Sequence, residues 1–276
     1  MAKQTKLGQG QSLKDSIQSA FAASSILIAL IVSEIVYYLV MGNPGNFEGN
    51  NPAGHPLPGN YLAIIYKGGF IVPILMTCVL VVLIFTIERW IMLSKASGKL
   101  RINVFVKNIQ ELLSANKIEE AVIECDKQKG SLANVVKSAL RRYRELQADP
   151  GLEKEQKILS LQKELEEATA LELPMLSKNL VILSTLASIS VLIGLIGTVL
   201  GMIRAFAALA QAGAPDALAL ANGISEALIN TAFGITGSTL AIIFFNFFSN
   251  KIDAFTYKID EANFSVVQTF ASTTKK

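Results

Sequence analysis

Four long runs of apolar residues restrict the possible folds of this chain more than any other feature of its sequence. The runs lie at 17–41, 67–93, 178–206 and 223–249, and each is long enough to cross a bilayer as an α-helix. Lipid offers the backbone no hydrogen-bond partner, so a spanning chain forms helices or a closed barrel, and runs of this length are typical of helices. The sequence therefore predicts an all-α polytopic membrane protein with four transmembrane helices.

The charged residues predict the topology of these helices. Fourteen Lys and Arg residues lie between Ser94 and Ser177, whereas the segments 42–60 and 207–221 contain none. Because basic residues favour the cytoplasmic side, we expect both termini in the cytoplasm. Outside the four helices, we expect a cytoplasmic segment at 1–16, a periplasmic loop with an interfacial helix at 42–66, a cytoplasmic helical domain at 94–177, a periplasmic loop at 207–222 and a cytoplasmic helix at 250–276. The first run is too long for the apolar core of a secretory signal, so no signal peptide is expected.

The residues that carry most enzymatic and metal chemistry are sparse. The chain has two cysteines, Cys78 in an apolar run and Cys125 in a charged one, and its one histidine, His55, lies in a loop rich in Gly, Pro and Asn. Such residues form neither a metal-ligand pattern nor a nucleophile–base set, and no phosphate-binding loop is present. The charged residues, whose net charge is +3, lie in separate segments of the chain and form no single basic patch in the sequence. We therefore expect no enzyme, no cofactor, no metal and no nucleic-acid partner.

The third and fourth runs carry small and hydroxyl side chains at helical spacing. Thr198 and Thr231 each lie about seven residues, or roughly 10 Å, from the outer end of their helix, so an antiparallel pair would bring them to one level. Such a stripe either packs helices closely or lines a pore, and the spacing alone leaves both interpretations open. The candidate pore-lining residues are Thr198, Thr231, Glu226, Ser238 and Asn230, and the candidate packing residues are Gly194, Gly197, Gly201, Gly234 and Gly237.

Two of the carboxylates in the apolar runs are candidate functional groups. Glu226, at the start of the fourth run, is either the outer mouth of an ion path or an acid in the first turn of a helix. We expect Glu34 to form an intramembrane pair with Lys67 or with a residue of a partner chain, the alternative being a proton relay. The second, third and fourth runs have no carboxylate at mid-depth, and threonine hydroxyls do not titrate. A proton path through this chain would therefore need an acid from a second polypeptide.

The motifs of three segments resemble those of a known family. The sequence GLIGTVLGM at 194–202, followed by GISEALINTAFG at 223–234, resembles the MotA/TolQ/ExbB proton-channel family. The segment KGGFIVPIL at 67–75, with IERW at 87–90, is similar to the first characteristic span of ExbB and TolQ proteins. The resemblance covers about 61–253, and it is closest to ExbB.

The resemblance implies a homopentamer around a central pore in the bacterial inner membrane. Two single-span ExbD-type subunits would lie inside the pore, and the membrane aspartate of that partner would carry H+ past Thr198 and Thr231. Glu226 matches the family's characteristic glutamate. The complex would use the proton motive force to energise a TonB-like protein and thus outer-membrane transport.

The alternatives are a TolQ-like or motility-type stator subunit and, in another class, a membrane scaffold without its own ion path. The chain departs from the family pattern in the additional transmembrane helix at 17–41 and in Asn230, which stands where a small apolar residue is usual. These departures bear on the branch of the family more than on the pore.

Overall fold

A computed structural model describes residues 20–148, 151–210 and 216–273. These residues fold into helices joined by short connections, as predicted. Four helices are long and apolar enough to cross a membrane, at Ala20–Met41, Ile71–Ala96, Lys154–Leu209 and Ala217–Ser272. The segment expected at 1–16 lies outside the described residues, as do parts of the loop at 207–222 and of the tail at 250–276.

The helices are numbered here in chain order. The first, α1, is Ala20–Met41, and its last part, Val36–Met41, is a π-helix. The others are α2 (Tyr61–Tyr66), α3 (Ile71–Ala96), α4 (Ile102–Ser114), α5 (Ile118–Gln128), α6 (Ser131–Ala148), α7 (Lys154–Ser177), α8 (Leu180–Leu209) and α9 (Ala217–Thr273). The short helix expected at the end of the first loop is α2, and a break at 129–130 separates α5 from α6.

The chain divides into two compact units, each described here by itself. The first, called the membrane unit, contains the described parts of 1–86 and 182–244. The second, called the bundle unit, contains the described parts of 87–181 and 245–276. Because α3, α8 and α9 each cross a boundary, these helices contribute residues to both units.

In the membrane unit, the end of α1 packs on α2 and α3. The Tyr37 hydroxyl donates to the Tyr66 carbonyl oxygen at 2.9 Å, and the two rings stack with centroids 4.7 Å apart. Tyr37, Met41 and Val72 form a buried cluster, against which Ile229 of α9 also packs. The additional helix is thus joined to the other helices by a specific contact, while much of its remaining surface is exposed and apolar.

The loop between α1 and α2 is folded, and this overturns one prediction. The Lys67 ammonium group donates to the carbonyl oxygens of Pro52 at 3.0 Å and Ala53 at 2.9 Å, and it lies 5.6 Å from the centre of the Phe47 ring. No ion pair joins Lys67 to Glu34, although the structure describes both residues. The backbone turn around Pro52 satisfies the ammonium group instead, and burial lowers the pKa of Lys67.

The bundle unit is held by large apolar side chains. Helix α4 packs on α5, α5 on α6 and α6 on α7, and the Tyr143 and Phe270 rings meet edge to face at 4.5 Å. The end of α9 supplies a buried apolar stripe to this core, at Phe248, Ile252, Phe255, Ile259, Ala262, Val266 and Phe270. The predicted C-terminal helix is therefore amphipathic, and its spacing of three and four residues is that of a core-facing helix.

A buried arginine closes the junction between α7 and α8. Pro174 lies inside α7, which ends at Ser177, and α8 begins at Leu180. The last carbonyl groups of a helix lack an intrahelical donor. The Arg89 guanidinium, 1% exposed, donates to the Leu176 carbonyl oxygen at 2.9 Å and is also paired with Glu88. The chain therefore has a short break between α7 and α8, where Arg89 binds the end of α7.

Candidate functional site: the α8–α9 helix pair

Helices α8 and α9 run antiparallel and approach each other closely enough for their backbones to touch. A Cβ atom placed on Gly201 would lie 2.7 Å from the Ala227 nitrogen and 2.8 Å from the Gly223 oxygen. A Cβ atom on Gly194 would lie 2.9 Å from the Asn230 oxygen. The crossing therefore requires residues without side chains, and the structure places all five glycines named for packing at this contact: Gly194, Gly197, Gly201, Gly234 and Gly237.

The two threonines lie at one level of the helix pair and contact each other. Their hydroxyl oxygens are within hydrogen-bond distance, so one hydroxyl donates to the other. The hydroxyl that accepts this bond can donate its own hydrogen to a backbone carbonyl. Thr198 Oγ1 is 3.1 Å from the Gly194 oxygen, and Thr231 Oγ1 is 3.1 Å from the Ala227 oxygen. Both side chains are half-buried, so part of the pair faces outward.

The hydroxyl side of the helix pair is defined here by Thr198, Thr231 and Ser238. Ser238 lies seven residues after Thr231, which is nearly two helical turns and so returns to about the same side of α9. Its hydroxyl donates to the Ala187 carbonyl oxygen. Within the described residues, no carboxylate, imidazole or amine lies among these hydroxyls, so nothing on this side takes up and releases protons near neutral pH.

Glu226 and Asn230 lie on the other side of the pair, against the turn that precedes α3. The Asn230 amide, fully buried, donates to the Gly68 carbonyl oxygen at 2.9 Å. The Glu226 carboxylate packs on Gly69, where a Cβ atom would lie 2.6 Å from its Oε1. This side is called the turn side below. The structure therefore divides the five residues named together for the ion path into two groups that face different directions.

Arg204 is the functional candidate that the sequence analysis did not name. Its Nη1 atom lies 2.5 Å from Oε1 and 2.6 Å from Oε2 of Glu226. The Glu226 side chain is 7% exposed and that of Arg204 is 51% exposed, so the buried carboxylate is compensated by a cation that remains half in contact with the surroundings. An uncompensated carboxylate would cost several kcal/mol at such a position.

A signal for this ion pair was present in the sequence. Aligning Thr198 with Thr231 in an antiparallel pair also brings Arg204 to the level of Glu226, because the two residue numbers in each pair add to nearly the same sum. A lone acid and a lone base at one level of two adjacent membrane helices are expected to pair. Among the described residues, no cluster of His, Cys, Asp and Glu is suited to hold a metal ion.

Comparison with known proteins shows similarity to one family. Residues 127–261 match the family model described as the MotA/TolQ/ExbB proton channel family. The matched range contains α6, α7, α8 and the part of α9 up to residue 261, and so includes the hydroxyl side and the ion pair. The chain is therefore similar to this proton channel family over just under half of its length. The family is described as a channel and not as a class of enzyme.

The individual proteins to which the chain is similar carry ExbB and TolQ names. An ExbB-like biopolymer transport protein of Synechocystis is 38% identical over 86 residues, covering 30% of this chain and 41% of the relative. The biopolymer transport protein ExbB of Salmonella typhimurium is 36% identical over 73 residues, covering 26% and 30%. The Tol-Pal system protein TolQ of Pseudomonas aeruginosa is 24% identical over 171 residues, covering 60% and 74%. The chain thus spans less than half the length of the two ExbB relatives.

Proposed function

We propose that this chain is the channel-forming subunit of a proton-driven stator in the bacterial inner membrane. The observation that carries the proposal is the contact between Thr198 and Thr231 on a side of the α8–α9 pair that holds no titrating group. Hydroxyl oxygens can accept hydrogen bonds from a protonated carboxyl group or from water, but they do not store a proton. The path is therefore a half-site, which a partner with a membrane carboxylate completes.

The energetics of proton transport support a partner of this kind. A proton that crosses the membrane releases about 2.3 kcal/mol per 100 mV. To couple that energy to movement, the complex needs a group that binds and releases the proton within the membrane. We propose a homopentamer whose central pore is lined by the hydroxyl sides and holds two single-span ExbD-type subunits, each with a membrane aspartate. H+ is then the transported ion, and no cofactor takes part.

The topology follows from the same proposal. Both termini and the bundle unit lie in the cytoplasm, since the basic residues are concentrated there. The folded loop at 42–60 and the loop at 207–222 then face the periplasm. A periplasmic reporter enzyme inserted into the 42–60 loop should be active, and the same enzyme fused after 276 should be inactive. The opposite result would reverse the orientation.

For the branch of the family, we propose ExbB, with a TonB-like protein as the partner that receives the energy. The TolQ branch is the second candidate, because the alignment with TolQ covers more of this chain than the ExbB alignments do. Complementation separates the two branches. The chain, expressed with the single-span partner of its own genome, should restore TonB-dependent uptake to a strain that lacks ExbB. Restoration of Tol-Pal function to a strain lacking TolQ, without that uptake, would assign the chain to the TolQ branch.

Proton flux tests the channel itself. The complex with its single-span partner is reconstituted in liposomes, and uptake under an imposed potential is followed with an internal pH dye. Thr198→Val and Thr231→Val each remove a hydrogen bond to a charged or protonated group and should lower the flux by about tenfold or more. Thr236→Val is the matched control, because that hydroxyl is exposed on α9 and bonds only to its own helix, at the Ala232 carbonyl oxygen.

The same experiment distinguishes the channel from a scaffold. A scaffold without an ion path would tolerate both threonine substitutions, because valine keeps the shape of the side chain. Full flux in both variants, with normal assembly, would contradict the proposal. Flux that persists after the partner is omitted would contradict the half-site.

A further inference from the structure

The ion pair lies on the opposite side of the α8–α9 pair from the threonines. Arg204 follows Thr198 by six residues and therefore points about 120° away from it around α8. Glu226 precedes Thr231 by five residues and points about 140° away around α9. The contacts agree with this geometry, because Glu226 packs on Gly69 of the turn side, whereas the two threonines contact each other.

Three parts of the chain meet at the Glu226 carboxylate. Helix α9 supplies the carboxylate, α8 supplies the Arg204 guanidinium, and the turn before α3 supplies the Gly69 backbone. Gly69 has a φ of +76°, and a side chain there would meet the carboxylate oxygen at 2.6 Å. The turn therefore requires glycine for its backbone conformation and for the close approach of Glu226.

Two further contacts join the same turn to the helix pair. The guanidinium carbon of Arg204 lies 5.8 Å from the centre of the Phe70 ring, within the range of a cation–π interaction. The Asn230 amide, one helical turn after Glu226, donates to the Gly68 carbonyl oxygen. The Glu226 carboxylate and the Nδ2 group of Asn230 thus both contact residues 68–70 or Arg204.

We propose that Arg204 and Glu226 form a latch that positions the 67–70 turn on the α8–α9 pair. In this role Glu226 is a positioning residue, and the proton does not pass through its carboxylate. The inference rests on the proposed function for its flux measurements, and it reassigns Glu226 from the mouth of the ion path to the support behind it. The hydroxyl side then remains the only part of α8 and α9 that faces the transported proton.

A charge swap separates the two roles of Glu226. Arg204→Gln and Glu226→Gln should each lower the thermal stability of the purified complex and lower its proton flux. The double variant R204E/E226R restores a pair of opposite charges and should recover most of both losses. It should also show the wild-type dependence of flux on pH, since the titrating group of the path is unchanged. A proton-carrying Glu226 could not be replaced by arginine.

Two combinations of stability and proton flux would overturn the latch. If Glu226→Gln assembles with wild-type stability but conducts no protons, Glu226 carries the proton. The same conclusion follows if R204E/E226R assembles and does not conduct. If the wild-type complex conducts no protons, the proposed function fails, whereas the comparison of stabilities still decides whether the latch exists.

A glycine pair tests the latch without changing its charges, in case the swapped variant does not fold. Gly69→Ala places a Cβ atom against the carboxylate in a backbone conformation that alanine rarely adopts. Gly59→Ala is the matched control, because Gly59 has a similar φ of +78° and no heavy atom lies within 4 Å of its Cβ position. Gly69→Ala should lower stability and flux as Arg204→Gln does, and Gly59→Ala should affect both much less. Equal effects of the two glycine variants would show that Gly69 matters for its backbone alone and would remove the latch.

Discussion

The helix contacts in the two units of this chain use opposite kinds of side chain. At the α8–α9 crossing, glycines bring backbone atoms together, and the buried side chains beside them are small or polar. In the bundle unit, the contacts are made by Leu, Ile, Phe and Tyr, and the Tyr143 and Phe270 rings meet at 4.5 Å. Helices thus pack through close backbone contact in the first region and through large apolar side chains in the second.

The difference follows from the surroundings of each region. In water, burial of large apolar side chains drives helices together at about 25 cal/mol per Å². In lipid that driving force is absent, because the acyl chains are as apolar as leucine, and helices associate through close packing and hydrogen bonds. The membrane helices can therefore place hydroxyl groups and an ion pair at the crossing, whereas the helix contacts in the bundle unit are made mainly by apolar side chains.

The largest expected effect is that of a large side chain at the α8–α9 crossing. Gly201→Leu would force the side chain into the Ala227 and Gly223 backbones, at a cost at or above the usual range of about 1–3 kcal/mol for overpacking. The oligomer should be lost on native mass spectrometry. Val199→Leu, two residues away and 59% exposed in the wild type, should assemble normally. Normal oligomers of Gly201→Leu would show that this contact is not tightly packed.

The second effect lies in the bundle unit, where the removal of a side chain is the damaging change. Leu140 is fully buried, and Leu140→Ala should lower the free energy of unfolding by about 2–5 kcal/mol. Leu159 is 67% exposed, so Leu159→Ala should stay within about 0.5 kcal/mol of the wild type. Denaturation of the detergent-solubilised protein followed by circular dichroism measures both. Equal effects would mean that the bundle core is not packed as described.

The smallest expected effect is the difference in stability between alanine variants at two glycines of the crossing. Gly194→Ala places its methyl group 2.9 Å from the Asn230 backbone oxygen, which cannot move without shifting α9. Gly237→Ala places it 3.3 Å from the Ser190 hydroxyl, which can rotate away. The first variant should be destabilised, and the second should gain up to about 1 kcal/mol from helix propensity. The measurement is the thermal stability of both variants in detergent. An equal loss of stability in the two variants would show that the crossing is uniformly tight.

Features that depend on periodicity along one segment could be predicted from the sequence. The four apolar helices and the short helix Tyr61–Tyr66 were expected and are present. So was the common level of Thr198 and Thr231, because the helical rise and an antiparallel turn are enough to calculate it.

Features that depend on contacts between segments were predicted less well. Lys67 binds the carbonyl groups of a folded loop rather than Glu34, and the fold of a loop rich in Gly, Pro and Asn leaves no periodic trace. The side of α9 that Glu226 occupies depends on the turn at Gly69, which packs from a distant part of the sequence. At the break after Pro174, the Leu176 carbonyl oxygen likewise accepts from Arg89, a residue of another helix.

The central claim is that the hydroxyl side of α8 and α9 faces a water-accessible path and that the neighbouring surface does not. Thr231→Cys and Ala232→Cys give a direct test, since adjacent residues lie at one depth and about 100° apart around the helix. Thr198→Cys and Val199→Cys form the equivalent pair on α8. The native thiols Cys78 and Cys125 are buried, and burial raises the pKa of Cys125 to about 12, so background labelling is low.

The measurement is the rate of reaction of these four variants with a charged, membrane-impermeant methanethiosulfonate, in the chain expressed without a partner. The reagent needs water and a thiolate, so it reacts only at an aqueous surface. We expect Thr231→Cys and Thr198→Cys to be labelled and Ala232→Cys and Val199→Cys to remain unlabelled. Labelling of the second pair, or of neither pair, would contradict the assignment of the hydroxyl side to the ion path.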